Sequence, residues 1–229
     1  MGKYIYYLSL SIGLINSIVA NTADHLIFSK ICIAPNEAQF VEIHNPTTGS
    51  INLNEPGDAA YYLTDGTHSL SSKYYYNITT GDNYWSGQAS DFFIQFPENT
   101  IIEAGGYLII SMHDDDIYDS YYNSNPDTSL EAIAGGNDET FYEVPGISIL
   151  SQAESLILFK WDGVSNTVQD VDYFLWGNNS FAVDKTGISG YLNDTAISNQ
   201  VYIETSDDHY YYSRKSDEEA DEILNGNGI

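Results

Sequence analysis

Glu42 and His44 are the first residues in the chain whose types could do chemistry together. They lie two positions apart in the stretch FVEIHNPT, residues 40–47, and a carboxylate beside an imidazole could pass a proton as a general acid and base. In a β-strand, alternate side chains share one face, so both residues would most simply face solvent or pair with a neighbouring strand. We therefore expect a structural role for Glu42 and His44, with acid/base chemistry as the alternative.

Aspartates gather in a segment whose chemistry would suit calcium. Asp114, Asp115, Asp116 and Asp119 concentrate oxygen donors in one predicted loop, and residues 137–139 form a second acidic cluster. Ca²⁺ takes six to eight oxygen ligands, backbone carbonyls included. Neither cluster has EF-hand spacing, so a solvated charged surface is the alternative. The sequence thus predicts calcium as the cofactor to test, with the four aspartates as its ligands.

Aromatic residues suggest a second kind of site. Tyr75, Tyr84 and Trp85 lie among polar residues between positions 74 and 86. Rings with polar rims can form a flat platform for a glycan or a protein partner. Core packing of the same rings is the alternative. We predict a ligand platform at these three residues.

Catalytic motifs are missing from the sequence. The five histidines are scattered, without an HExxH motif or any other pair at metal-ligand spacing. The sequence contains neither a G-x-S-x-G nucleophile elbow nor a phosphate-binding P-loop. With 33 acidic residues, a glycosidase-like carboxylate pair would arise by chance. We expect a protein without catalytic residues.

The elements that would position these residues are short strands between turn formers. Such a pattern is typical of an all-β sandwich or barrel, and 20 Tyr and 9 Phe suit half-buried pleated surfaces. The predicted strands are Leu26–Ala34, Gln39–Asn45, Ala60–Leu63, Phe92–Phe96, Gly106–Met112, Ser155–Trp161, Thr167–Phe174 and Tyr210–Arg214.

Turns and loops complete this prediction. We expect one hairpin to turn at Gly105-Gly106 and another, longer one after Asp162-Gly163. His113–Gly146 and the aromatic region around Tyr75 are predicted to be long irregular loops, where binding usually occurs. A short acidic helix is predicted at Ser216–Leu224.

The N-terminal residues and the net charge limit where the protein is located and what it binds. Lys3, an apolar run to Val19 and the small residue Ala20 have the layout of a secretory signal peptide, so we expect residues 1–20 to be removed and 21–229 to form one exported domain. No later segment is apolar and long enough to cross a membrane. The exported part has 33 acidic and 6 basic side chains, a formal charge of −27, which disfavours direct nucleic-acid binding.

Several stretches together indicate a family. FVEIHNPT at 40–47, INL at 51–53, YYLTD at 61–65, and FPE at 96–98 leading to GGYL at 105–108 resemble the lamin-tail domain. The segments WDG at 161–163, QDVDY at 169–173 and VDKTG at 183–187 resemble a secreted bacterial branch of that family. Tyr61-Tyr62 and Ala104 depart from the family's Trp and Pro, which affects packing and turn details. The resemblance implies an immunoglobulin-like antiparallel β-sandwich.

These observations lead to one functional prediction and two alternatives. We expect a secreted, non-catalytic binding module that contacts a protein or glycan at the cell surface. One alternative is an accessory domain of a secreted hydrolase such as a nuclease, because bacterial domains of the family that this chain resembles are often attached to such enzymes. The other is a self-assembling surface protein, in which exposed strand edges pair between copies.

Overall fold

The structure of the chain is a computed structural model that describes residues 21–67, 72–85, 91–134, 141–142, 150–205 and 211–219. The expected signal peptide at residues 1–20 and the second acidic cluster at 137–139 lie outside the described residues. No helix in the described part is both long and apolar enough to span a membrane.

Strands dominate the described residues, with two short α-helices. The strands are β1 Asn21–Thr22, β2 Ile27–Cys32, β3 Phe40–His44, β4 Ile51–Asn52, β5 Ala60–Thr64, β6 Phe92–Gln95, β7 Ile101–Ile102, β8 Tyr107–Ser111, β9 Thr128–Ser129, β10 Phe141–Tyr142, β11 Glu154–Trp161, β12 Gln169–Trp176, β13 Tyr211–Ser213 and β14 Glu218–Glu219. The helices are α1 Asp115–Tyr122 and α2 Leu130–Ala134.

Two five-stranded sheets form a sandwich. The first sheet has the order β10-β6-β5-β11-β12, and the second has the order β13-β2-β3-β8-β9. All pairs in them are antiparallel except β8 with β9. The predicted all-β antiparallel sandwich is confirmed. All eight strands expected from the sequence are present, with ends shifted by a few residues at most.

The main core lies between the two sheets. Alternation along each strand points one set of residues inward, so Val41 and Ile43 of β3 meet Leu63 of β5 and Leu156 and Leu158 of β11 in one buried cluster. Burial of this apolar surface is the main contribution to stability, at roughly 25 cal/mol per Å² of apolar surface removed from water.

A second core covers the outer face of the first sheet. Tyr62, Phe93 and Phe159 point away from the main core and are buried beneath a 3₁₀ turn at Tyr75–Thr80. Tyr62 stacks on Phe159 with ring centroids 5.1 Å apart. Because both faces of this sheet are covered, β5 is buried along its whole length.

Helix α1 corrects the first part of the prediction that His113–Gly146 is an irregular loop, and positions 135–140 and 143–146 of that range lie outside the described residues. Asp114 is its N-cap, where the side chain accepts a hydrogen bond from Ile117 N at 2.7 Å. Asn123 ends the helix in the left-handed conformation. Tyr118 then packs on Phe40 of β3. The prediction failed because this helix is only eight residues long and has one buried residue, Tyr118, too few for a readable helical period.

Two further predictions are wrong. The turn at Gly105-Gly106 exists, but β7 pairs with β4 while β8 pairs with β3, so the turn is a corner between sheets and not a hairpin. The helix expected at Ser216–Leu224 is contradicted at Glu218–Glu219, which form β14 and pair with β1, while positions 220–224 lie outside the described residues. Long-range pairing overrides the local preference there. The hairpin at Asp162-Gly163 joins β11 to β12 as predicted.

Candidate functional site

A cavity of about 230 Å³ opens where the edge strand β12 of the first sheet meets β2 and β13 of the second. It combines aromatic, hydroxyl and charged side chains. Its lining residues are Phe28, Ser29, Lys30, Ile31, Asp172, Tyr173, Phe174, Ile203, Tyr212, Ser213 and Arg214.

Two β-bulges shape this cavity. The register of β2 with β3 shifts between Phe28 and Lys30, which leaves Ser29 as an extra residue. The register of β12 with β11 shifts in the same way next to Asp172. A bulge bends its strand and re-aims the neighbouring side chains. Ser29, the extra residue of the first bulge, and Asp172, which adjoins the second, both line the cavity.

Asp172 and Arg214 tie the two sheets together at the base of the bulge in β2. Phe28 N donates to Asp172 Oδ2 at 2.5 Å, and Arg214 Nε donates to Phe28 O at 3.1 Å. Arg214 Nη2 also lies 3.1 Å from Asp172 Oδ2. Buried polar groups need such partners because their desolvation is costly. The charged pair therefore holds the cavity open in a defined shape.

Lys30 and Glu42 form a second ion pair at the rim. Lys30 Nζ lies 2.8 Å and 2.9 Å from the two Glu42 carboxylate oxygens, and Ser29 Oγ donates to Glu42 Oε1 at 2.7 Å. The Lys30 side chain is 37% exposed and that of Glu42 only 7%. Glu42 is thus paired with a residue of the neighbouring strand β2 and does not face solvent. Pairing of this kind was one of the two structural roles expected from the sequence.

His44 has its own partners. Its ring stacks on Tyr107 with centroids 4.2 Å apart, and Nδ1 lies 2.9 Å from Gly106 O. Glu42 and His44 therefore serve separate contacts on the shared face of β3, which matches the structural interpretation of the FVEIHNPT stretch.

Aromatic rings form the apolar part of the cavity. Phe174 and Tyr212 lie with ring centroids 5.2 Å apart, and Tyr212 Oη donates to Glu204 O at 3.0 Å. Both rings are half-buried. The site can thus offer ring surface, hydroxyls and charged groups to one ligand.

The charge of the cavity contrasts with the rest of the chain. Lys30 and Arg214 are two of only six basic side chains in residues 21–229, and both lie in its wall. Their partners, Glu42 and Asp172, balance that charge locally. The cavity is therefore close to neutral in a strongly acidic molecule.

The four predicted calcium ligands lie elsewhere, at the start of α1 on the outer face of the second sheet. Asp114 caps the helix, while Asp115, Asp116 and Asp119 are exposed. Acidic side chains in a first turn also stabilise a helix through its dipole. Among the described residues, no group of three or more His, Cys, Asp or Glu is arranged to hold a metal ion. Calcium binding stays a prediction.

The predicted platform residues lie on the outer face of the first sheet. Tyr75 is fully buried in the second core, so it contributes no surface to a platform. Tyr84 and Trp85 are half-buried against the same core, and Tyr84 meets Phe93 edge-on at 5.2 Å. Any surface platform here would consist of Tyr84 and Trp85, and its ligand stays a prediction.

Sequence reasoning missed the cavity because its residues are distant in the chain. Residues 28–31, 172–174 and 212–214 come together only through sheet packing. One signal was present in the sequence, because Arg214 is its only arginine. Arginine is favoured where one planar guanidinium group must donate hydrogen bonds to several acceptors.

Comparisons with protein-family models, with curated proteins and with solved structures give no match to this chain. The resemblance to the lamin-tail domain therefore remains a hypothesis that depends on the sequence stretches quoted above.

Proposed function

We propose that this protein is a secreted, non-catalytic binding module that contacts a glycan or protein at the cell surface or in the extracellular space. The cavity between β2, β12 and β13 is the single observation that carries the proposal. A ligand cavity with ring surface and a few fixed polar groups is the usual form of a binding site.

The size of the cavity limits what enters it. Cavities for drug-sized ligands span about 300–1,000 Å³, and this one has about 230 Å³. It would take one ring-sized group of a larger ligand, while the rest of the ligand lies along the edge of the sandwich.

Its chemistry favours a carbohydrate. The rings of Phe174 and Tyr212 offer apolar faces, and the exposed Ser213 contributes a hydroxyl to the same wall. A sugar ring presents both apolar C–H faces and hydroxyls, so it matches this combination. The acidic surface of the chain repels polyanions, which favours a neutral glycan.

The charged groups of the cavity support binding and not turnover. The Asp172 carboxylate is engaged by Phe28 N and by Arg214, and the Glu42 carboxylate by Lys30 and Ser29. A general acid or base must reach the proton that it transfers, whereas these carboxylates serve strand-to-strand contacts.

A glycan array and a protein pull-down with residues 21–229 test the proposal. We expect retention of a defined neutral glycan, and loss of that retention in Ser213→Trp, which fills the cavity from the exposed edge of β13. Val164→Trp is the matched control, because Val164 is 84% exposed in the β11–β12 turn and should leave binding unchanged.

Two results would overturn the proposal. One is equal glycan retention by the wild type and by Ser213→Trp, which would place any ligand elsewhere. The other is turnover of glycoside, ester or phosphodiester substrates by the purified protein. Detection of the protein only inside cells would contradict the secretion part.

A further inference from the structure

Lys185 lies in the interior, in contact with an aspartate. It follows the 3₁₀ turn at Asn179–Phe181, and its Nζ contacts Oδ2 of Asp170 in β12. The side chain of Lys185 is 0% exposed and that of Asp170 is 7% exposed. Fully buried lysines are rare in proteins, so this pair needs a physical account.

Tyr75 bridges the two side chains. Its hydroxyl accepts a hydrogen bond from Lys185 Nζ at 2.9 Å and donates one to Asp170 Oδ1 at 2.6 Å. Burial, and then the charge of Asp170, raise the pKa of Tyr75 well above its ordinary value. The hydroxyl therefore stays protonated and polarises the Asp170 carboxyl group.

The surroundings of the pair are aromatic and apolar. Lys185 Nζ lies 5.2 Å from the ring centroid of Tyr191 and 5.5 Å from that of Tyr75, next to a buried cluster that includes Phe159 and Val183. Desolvation of two opposite charges in such a place costs free energy that their attraction only partly offsets. Transfer of one proton converts the ion pair into a neutral amine and a neutral carboxylic acid, and this change needs no proton from outside.

We propose that Lys185 and Asp170 condense into an intramolecular amide bond. The neutral Nζ attacks Cγ of the protonated Asp170 carboxyl group and forms the C–N bond. The bond from Cγ to the hydroxyl oxygen breaks, and that oxygen leaves as water with one proton from the amine. No oxidation or reduction takes place, and no co-reactant is consumed.

The geometry supplies what the condensation needs. Fixed contact between the reacting groups replaces a bimolecular encounter, which can account for a large part of such a barrier. Tyr75 acts as a catalytic residue, because its hydroxyl can give a proton to the carboxyl oxygen and take one from the amine. The apolar surroundings exclude the water that would reverse the reaction.

The bond would link β12 covalently to the segment that covers the outer face of the first sheet. It would close residues 170–185 into a loop and fix Val183 and Tyr191 on the second core. The protein would then hold this covering segment in place without a disulfide, in a chain with one cysteine.

Peptide mass spectrometry of the purified wild-type protein tests the bond directly. Trypsin cleaves after Lys160 and Arg214, and an amide at Lys185 blocks cleavage there. We expect one peptide covering residues 161–214, lighter than the calculated mass by one water molecule. Separate peptides 161–185 and 186–214 at full mass would overturn the proposal.

Four variants sharpen this test. Lys185→Arg and Asp170→Ala should give the full protein mass, while Asp170→Asn should lose one ammonia in place of one water. Tyr75→Phe keeps the ring and should slow the condensation, giving a mixture of linked and unlinked protein. A wild-type peptide 161–185 that is released by trypsin yet lighter by one water would show a local dehydration of Asp170 and would also overturn the proposal.

Discussion

At the scale of single residues, three carboxyl groups lie close together at one end of the first sheet. Asp65 follows β5, Asp91 precedes β6, and Glu154 begins β11, and all three are buried. Burial, and then the charges of Glu154 and Asp91, raise the pKa of Asp65, and burial raises the pKa of Glu154 to about 8. Asp65 Oδ1 accepts from Phe92 N at 2.7 Å. Asp65 and Glu154 are therefore protonated in the fold at pH values where they ionise in the unfolded chain.

This protonation predicts a stability that falls as pH rises. For Glu154, whose pKa is higher in the folded state, the contribution is complete below the ordinary pKa of 4.5 and is lost as pH approaches about 8. One unit of pKa shift corresponds to about 1.4 kcal/mol, so we expect the free energy of unfolding to fall by a few kcal/mol across this range. Urea unfolding at several pH values measures it.

Glu154→Gln is the informative variant. Glutamine keeps an oxygen for the hydrogen bond from Ser151 N and cannot ionise, so it should flatten the pH dependence and stabilise the protein near pH 8. Glu103→Gln is the control, because Glu103 is exposed. An equally steep pH dependence in Glu154→Gln and in the wild type would contradict this account.

At the scale of elements, strands were predictable because alternation and turn residues are local signals. β3 shows both, with Val41 and Ile43 facing the core and Pro46 following the strand. The cavity was not predictable, because its bulges arise only when β2 and β12 pair with their neighbours. The pair of Lys185 with Asp170 depends in the same way on the packing of a distant covering segment.

Gly177, directly after β12, lies where the structure leaves no space for a side chain. It follows β12 with φ of 80°, and a Cβ there would lie 2.6 Å from Gln152 O and closer still to Ala153. Gly163 in the hairpin turn has nearly the same φ of 78° but open space around it. We expect Gly163→Ala to cost about 1 kcal/mol through backbone strain alone, and Gly177→Ala to cost roughly 3 kcal/mol or more because overpacking adds to that strain. Denaturant unfolding of the two variants measures the difference, and equal costs would refute it.

Helix α1 gives the calcium prediction a defined test. Asp115 and Asp119 are exposed i, i+4 neighbours of like charge, an arrangement that destabilises a helix. A bound cation would relieve that repulsion, so calcium should raise the melting temperature of the wild type. The rise should disappear when Asp115, Asp116 and Asp119 are all changed to Asn. Identical wild-type melting in millimolar calcium and in chelator would dismiss calcium binding.

Asp114 separates capping from metal binding within the same helix. Asp114→Asn keeps a good N-cap and should leave stability nearly unchanged, whereas Asp114→Ala should cost about 1 kcal/mol in any buffer. If Asp114→Asn also removed the calcium response, Asp114 would be a ligand as well as a cap. Thermal melts with and without calcium distinguish the two roles.

At the scale of the whole molecule, a strongly acidic sandwich presents one nearly neutral cavity at its open edge. The formal charge of the full chain is −26, which favours solubility and repels polyanions. Both sheets contribute walls to the cavity, so ligand binding there would depend on the intact sandwich. The hypothesis of a secreted binding module thus rests on the site that the sheets build and not on a sequence motif.

The most direct measurement is an NMR titration of residues 21–229 with the glycan that the array retains best. We predict that backbone amide signals shift around the cavity, at Ser29, Lys30 and Ser213, while those of α1 and of Tyr84 and Trp85 stay in place. Shifts confined to Tyr84 and Trp85, or to α1, would contradict the assignment of the cavity as the binding site.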